Sequence, residues 1–500
     1  MPSSRAGLPL PPVGLRLAVL VFVCLSGMWA VTSPLGSVPD EPAHVIYAAS
    51  VVRGQLGDGP LGHVVRVPAT VGQASNTTCP AFRPFVTADC IEQLAHRPGA
   101  VVTETSAGRY PPLYYALVGW PTLVGFGDGT WLVMRLLSVA LAGLLLWVGA
   151  SCWRRGSGAV AAGVLVAGSP MATFMVGSVN PNGAEIAAGV AFALAVTGLL
   201  DRWRRGDALV GWRPPTAVAL TGGYLGVARP GSHLLLVALA GVLALFGLRE
   251  VGAGLRRRDM TLLAPVAVLL GAVVVAVVYA RLAAAPGALL VAHPVGLRTA
   301  LATIVNTFAG YTLETAGIFG WRDHLPPLQL RMLWIGMSAA LAVAAWFSSG
   351  WRERLALGLL VVGSFLLAPL FVYLTLFRDG VGYQARYAMA LTQAVPILAA
   401  AVLSRRATAA QSPAGRALAS IPIVTLVVQL LVLAGSYLRY AVGLPLQLNP
   451  LALPGDVRWV PAAWPLDLLF LVAATTLTVG LVRTLRAEPV PAAGQASAVR

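Results

Sequence analysis

"RYPPLYYALVGWPTLVGFG", residues 109–127, is the stretch whose reading decides the fold. It is apolar enough to suggest a membrane crossing, yet its apolar part is short and interrupted by Pro121. Counted as a span, it places the next basic cluster, Trp153, Arg154 and Arg155, on the outer side of a membrane. Counted as an amphipathic helix lying at the outer interface, it leaves that cluster inside. Every later arginine cluster then falls inside too, where basic loops are retained, so the second reading is adopted.

The membrane premise comes from composition. The chain has 500 residues, 57% hydrophobic and only 11% charged, which is too apolar for a soluble domain of this length. Its apolar residues come in runs of about 18 to 24, long enough to cross a hydrocarbon core of about 30 Å as helices. No strand-length alternation competes with that pattern. All 35 basic residues are Arg, and they give a formal net charge of +16. Because they cluster at the ends of apolar runs, they report orientation and not a nucleic-acid partner.

With the N-terminus inside, the runs fall at 15–33, 131–153, 159–179, 186–200, two short ones within 216–248, then 261–284, 330–347, 355–376, 388–403, 422–440 and 466–482. The first follows Arg5 and Arg16 and has no small-x-small cleavage site before Pro34, so it reads as an uncleaved span and not a signal peptide. The expectation is an all-α polytopic membrane protein of about twelve transmembrane helices with both termini cytoplasmic. Residues 1–34 form the N-terminal segment and first span, and 35–129 a long first extracytoplasmic loop with interfacial helices. Residues 130–486 form the multi-span helical domain, with a second outer loop near 285–327, and 487–500 a disordered cytoplasmic tail.

Two of the four cysteines, Cys79 and Cys90, lie in the first outer loop. An oxidising exterior favours a disulfide between them over two free thiols. Cys24 and Cys152 fall in apolar runs and read as packing residues.

The polar residues assigned to the outer face carry the functional signal. In "SVPDEPAH" (37–44), Asp40 can cap a helix starting at Glu41, with Pro42 in its first turn and Gly54 ending it. His44 lies one turn on, on the same face. A carboxylate at the mouth of a membrane cavity can also act as a general base or bind a divalent cation, which makes Asp40 and Glu41 candidate catalytic residues and candidate metal ligands. In "GYQARYAMAL" (382–391), Gln384, Arg386 and Tyr387 stand at the outer start of a run. Arg386 either snorkels or pairs with Asp379, or it forms an anion site, since guanidinium matches phosphate oxygens bidentately. Arg322, Asp323 and His324 in "FGWRDHLPP" (319–327) add charge on that side, and Arg229 in "ARPGSH" (228–233) sits deeper, between the two short runs.

Taken in order, "PDEPAHVIYAASVVRGQ", "RYPPLYYAL", "GSVNPNGAEIA", "ARPGSHLLL", "FGWRDHLPP" and "GYQARY" resemble the bacterial membrane family catalogued as domain of unknown function 2142, over about Val38 to Tyr387. That family resembles the GT-C class of polytopic glycosyltransferases. The resemblance implies a polyprenyl-phosphate-linked sugar as donor and a cell-envelope glycan or protein as acceptor. It also implies a site on the extracytoplasmic side of the cell membrane and an acid in the first outer loop, the place that Asp40 and Glu41 occupy. The acid would deprotonate the acceptor or help hold a divalent cation, while arginines stabilise the departing lipid phosphate. His44, Arg229, Arg322, His324, Gln384, Arg386 and Tyr387 form the expected substrate-binding set. Two positions depart from the family pattern: Asn182 stands where an acid is expected, and Ala385 where Gly is common. The competing reading is a non-catalytic membrane protein, either a lipid or glycan transporter or a subunit of a cell-envelope assembly complex. Scarce mid-span charge favours the enzyme, because a transporter needs a polar path through the bilayer.

Overall fold

The computed structural model describes residues 10–56, 64–154, 158–205, 213–256, 263–283, 295–376, 383–405, 412–443 and 457–487. The expected disordered tail from 488 on, and Asp379, lie outside them. Among the described residues nine helices are long and apolar enough to cross a membrane, ten if one bent pair counts as a span. The protein is an all-α polytopic membrane protein. Each expected run is helical, but two fall short of spanning length: Arg213–Val227 and Ser232–Phe246 have 15 residues each. At a rise of about 1.5 Å per residue, neither covers a core of about 30 Å.

Val13–Thr32 packs against Trp464–Ala487, Asp128–Ala150 and Gly158–Ala167. Pro181–Arg204 is buried along nearly all its length, between Asp128–Ala150 and Arg213–Val227. Leu263–Leu282 instead exposes Val266, Leu270, Val274 and Val278, the surface that lipid tails solvate.

The 159–179 run is broken. Gly158–Ala167 and Pro170–Val176 meet at 68°, because Pro170 has no N–H to continue the ladder and the Ser169 hydroxyl caps Ala172 N instead. In an apolar setting the freed groups need partners. Gln429 Nε2 donates to Gly168 O at 2.8 Å, Gln393 Nε2 to Ser169 Oγ at 3.1 Å, and Ser169 Oγ to Thr315 O at 2.8 Å. Further on, the Trp351–Leu374 span widens into π turns at Gly363–Leu367 and Val372–Leu376, on either side of Ala368–Phe371 with its Pro369.

The deciding stretch holds no helix long enough to cross a membrane. It forms a seven-residue helix, Leu113–Gly119, and a tight 3-10 turn, Trp120–Leu123, packed on the helix Glu41–Val51. Gly119 is required at that contact: a Cβ there would stand 2.5 Å from the Ala48 carbonyl oxygen. Arg53 pins the return by donating to Ala49 O at 2.7 Å and Thr122 O at 2.6 Å. The basic clusters then gather at one end of the bundle, where Arg204 pairs with Glu250 and Glu353, and Arg405 with Glu353. Asp40, Asn182, Arg229 and Arg386 gather at the other.

One expectation is corrected. The second outer loop, 285–327, is not a loop throughout but holds the 20-residue helix Leu297–Ala316. Its Arg, Asn and Glu lower its hydropathy, and it buries only one stripe that includes Ala300, Ile304 and Tyr311. Just before this helix Val295 N donates to Tyr373 O at 3.2 Å, and near its end Glu314 Oε2 accepts from Ala385 N at 3.2 Å. The first long loop holds, beside its short helices, one strand pair, Val64–Pro68 antiparallel to Ala100–Glu104, with Val64 opposite Glu104. That loop carries a Cys79–Cys90 disulfide with Cα atoms 6.2 Å apart. Buried Arg439 ties it to the bundle by donating to Pro80 O, Arg83 O and Val86 O and pairing with Asp323 at 2.9 Å.

Candidate functional site

The chain leaves the first helix at Thr32, turns, and enters the next helix at Asp40 with a left-handed backbone, φ 66°. Side-chain caps normally sit on extended backbone, which aims the oxygen at the first amides. Here that geometry is lost, and Asp40 makes no side-chain cap bond; the expected cap is corrected. Its carboxylate, 45% exposed, instead accepts from Arg386 Nη2 at 2.9 Å. Burial, the largest single influence, raises the Asp40 pKa, but the groups facing it, Arg386 foremost with His44 and Arg229, together hold the carboxyl below the ordinary value.

Arg386 stands on the short turn Ala385–Ala388, which Tyr387 N closes onto the Gln384 carbonyl at 3.0 Å. Its guanidinium lies 5.8 Å from the centre of the Tyr387 ring, and that of Arg229 lies 5.4 Å from the same ring. Arg229 pairs with Glu185 at 3.0 Å. Glu185 also accepts from Ser232 Oγ and from Asn182 Nδ2, and Asn182 Nδ2 reaches Arg386 O as well, at 3.1 Å. Gly183 lets this segment approach its neighbour, because a Cβ there would lie 2.4 Å from Met175 O.

A cavity of about 580 Å³ opens beside this network. Tyr110, Glu185, Arg229 and Tyr387 line it together with the apolar Leu234, Leu235, Ala238, Leu367, Phe371 and Val372, whereas Asp40 and Arg386 stand outside its lining, on the far side of Tyr387. The π turns form part of the cavity wall, and such wide turns recur at functional sites.

The other expected residues are placed differently. Glu41 is fully buried, with its oxygens held by Arg135 Nε at 2.7 Å and Nη2 at 2.6 Å, and Val179 N donates to it at 3.0 Å. It is corrected from a candidate catalytic or metal residue to a buried ion pair. His44 is buried, with Nδ1 2.8 Å from the Tyr115 hydroxyl, and burial pushes its pKa down to about 3. Arg322 pairs with Glu314 at 2.6 Å and shows no contact with Asp40. His324 is buried beside Arg439, its pKa pushed down to about 4 by burial and then by that charge. Gln384 contributes its carbonyl to the turn. Sequence reasoning overlooked Arg135, Glu185 and Tyr110. Arg135 and Glu185 are lone ionisable residues inside apolar helical runs, a signal that was available.

Among the described residues no three His, Cys, Asp or Glu side chains converge to hold a metal ion. Arginines already supply the counter-charge to Asp40 and Glu41, so the residues present do not fit a protein-held cation, and no step is routed through one.

The model of the family described as predicted membrane protein (DUF2142) matches residues 23–395. The chain belongs to the DUF2142 family. The DUF2142 match contains Asp40, Asn182, Glu185, Arg229, Arg386 and Tyr387, and stops short of the last two spanning helices. No curated protein and no solved structure matches the chain.

Proposed function

We propose that this membrane protein is a GT-C-like glycosyltransferase that moves a sugar from a polyprenyl-phosphate donor to an extracytoplasmic acceptor. The observation that carries the reading is the Asp40–Arg386 pair, joined through Tyr387 to a cavity lined by Arg229, Glu185 and many apolar side chains. The apolar side chains suit an isoprenoid chain, and the arginines suit its phosphate. In transfer, an acceptor hydroxyl attacks the anomeric carbon while the bond from that carbon to the phosphate oxygen breaks. The hydroxyl proton goes to Asp40, and the phosphate leaves with the bonding electrons, its charge met by Arg229 and Arg386. A phosphate that draws Arg386 away from Asp40 removes the foremost charge depressing the carboxyl pKa, so donor binding makes Asp40 a better base. His44, kept neutral by burial, is held by Tyr115 one turn after Asp40.

The competing reading, a non-catalytic carrier or assembly subunit, draws on one observation: Asp40, Glu41 and Glu185 are each already paired with an arginine. Purified protein offered a panel of polyprenyl-phosphate sugars decides between them. Transfer that is lost in Asp40→Asn supports the enzyme; donor binding without transfer from any member of the panel supports the carrier.

A further inference from the structure

Arg229 and Arg386 come from segments 157 positions apart in the chain, yet one buried side chain links them. The Asn182 amide nitrogen donates to Glu185 Oε2, the oxygen that also receives Arg229, and to the carbonyl of Arg386. Ser232, on the turn beside Arg229, donates to the other Glu185 oxygen, and its Oγ accepts from Arg229 N at 3.1 Å. Asn182, Glu185 and Ser232 are at most 2% exposed. Both guanidinium groups pack on the Tyr387 ring, and the Nε of each is buried with no hydrogen-bond partner. Arg229 and Tyr387 line the cavity, and Arg386 stands against the Tyr387 ring without lining it, so two buried guanidinium groups, each with a donor to spare, are held on one ring beside an open space where an anion can meet them.

We propose that Arg229 and Arg386 form a single phosphate cradle, and that Asn182, Glu185 and Ser232 are its positioning residues. This deepens the reading given above and rests on it for the nature of the ligand. It also explains Asn182, which stands where an acid is expected. The position must donate to a carboxylate and a carbonyl at once, which an amide can do and an ionised acid cannot. An Asp there would face Glu185 as a like charge at hydrogen-bond distance and push Arg229 and Arg386 out of register. Glu185 in turn fixes Arg229 while leaving its Nε free. Asp40 holds Arg386 until phosphate replaces it.

The test compares undecaprenyl phosphate with undecaprenol, which lacks the anion, for binding to the full chain in nanodiscs. Wild type is expected to prefer the phosphate by at least about tenfold, and Asn182→Asp to lose that preference while binding the alcohol unchanged. Ser232→Ala, which removes a single hydroxyl, is expected to cut the preference by about threefold and keeps the test open should Asn182→Asp not fold. General structural damage would weaken both ligands together and leave the ratio unchanged. Added inorganic phosphate distinguishes the source: competition assigns the cradle to any free phosphate, and no competition to a lipid headgroup. Equal wild-type affinity for phosphate and alcohol overturns the proposal, as does a wild-type ratio in both variants. A retained preference without sugar transfer from any donor would sink the transferase reading and leave the cradle standing.

Discussion

Arg135 grips Glu41 with two hydrogen bonds, at 2.7 and 2.6 Å, and both side chains are closed off from solvent. The same guanidinium donates to Ala30 O in the last turn of the first helix and to Ser33 O and Pro34 O just beyond its end. One residue thus joins the end of one helix to the start of the next. Asp40 is the residue just before Glu41, so its position depends on that joint.

Breaking the joint should be costly. Glu41→Gln or Arg135→Met leaves a buried charge without its partner and is expected to destabilise the protein by about 3–5 kcal/mol. The double substitution should cost less than the two singles combined, because no lone charge remains. Thermal unfolding in detergent measures all three, and strictly additive losses would show that the pair is not coupled.

Acid should loosen this end of the molecule. The His44 pKa falls from 6.5 to about 3 on folding, so below about pH 6.5 the unfolded chain takes up a proton that the folded chain refuses. Stability is present above that pH and falls towards about pH 3, by up to about 1.4 kcal/mol per pH unit. Asp40, depressed by Arg386, acts in the same direction, because a carboxylate favoured in the folded state loses its contribution as it protonates. Unfolding curves between about pH 7.5 and about pH 5 should therefore be flatter in His44→Gln than in wild type. An unchanged slope would remove His44 as the source.

Asp40 and Arg386 should separate in kinetics. Asp40→Asn removes the base and is expected to lower turnover by about 10²–10⁴-fold while donor binding holds or tightens, since Arg386 is freed. Arg386→Ala should weaken donor binding as well as turnover. Steady-state transfer assays alongside direct binding distinguish the two patterns. A loss of binding alone in Asp40→Asn would assign Asp40 to recognition.

Orientation can be read by labelling. Phe82 is 69% exposed on the disulfide loop, and Arg205 lies in a basic cluster at the other end. The native free cysteines Cys24 and Cys152 are buried. In intact cells a membrane-impermeant thiol reagent should label Phe82→Cys, and should label Arg205→Cys only after permeabilisation. The reverse result would invert the sidedness of the site.

Hydropathy over consecutive residues was sufficient to find the long apolar helices, because burial in lipid acts on each run by itself. The same reasoning read residues 109–127, where the helix has only seven residues, as too short and too interrupted at Pro121 for a span. It did not find Leu297–Ala316, a half-polar helix held only by a stripe of tertiary contacts. Nor did it separate the two adjacent acids. Asp40 and Glu41 are neighbours in sequence, but a left-handed residue between two helices sends one to Arg386, 346 positions away, and the other to Arg135, 94 away. Partner choice across such distances depends on which helix ends the packed bundle brings together. No local periodicity or spacing encodes that, so only the tertiary structure decided which acid faces Arg386 and which is buried with Arg135.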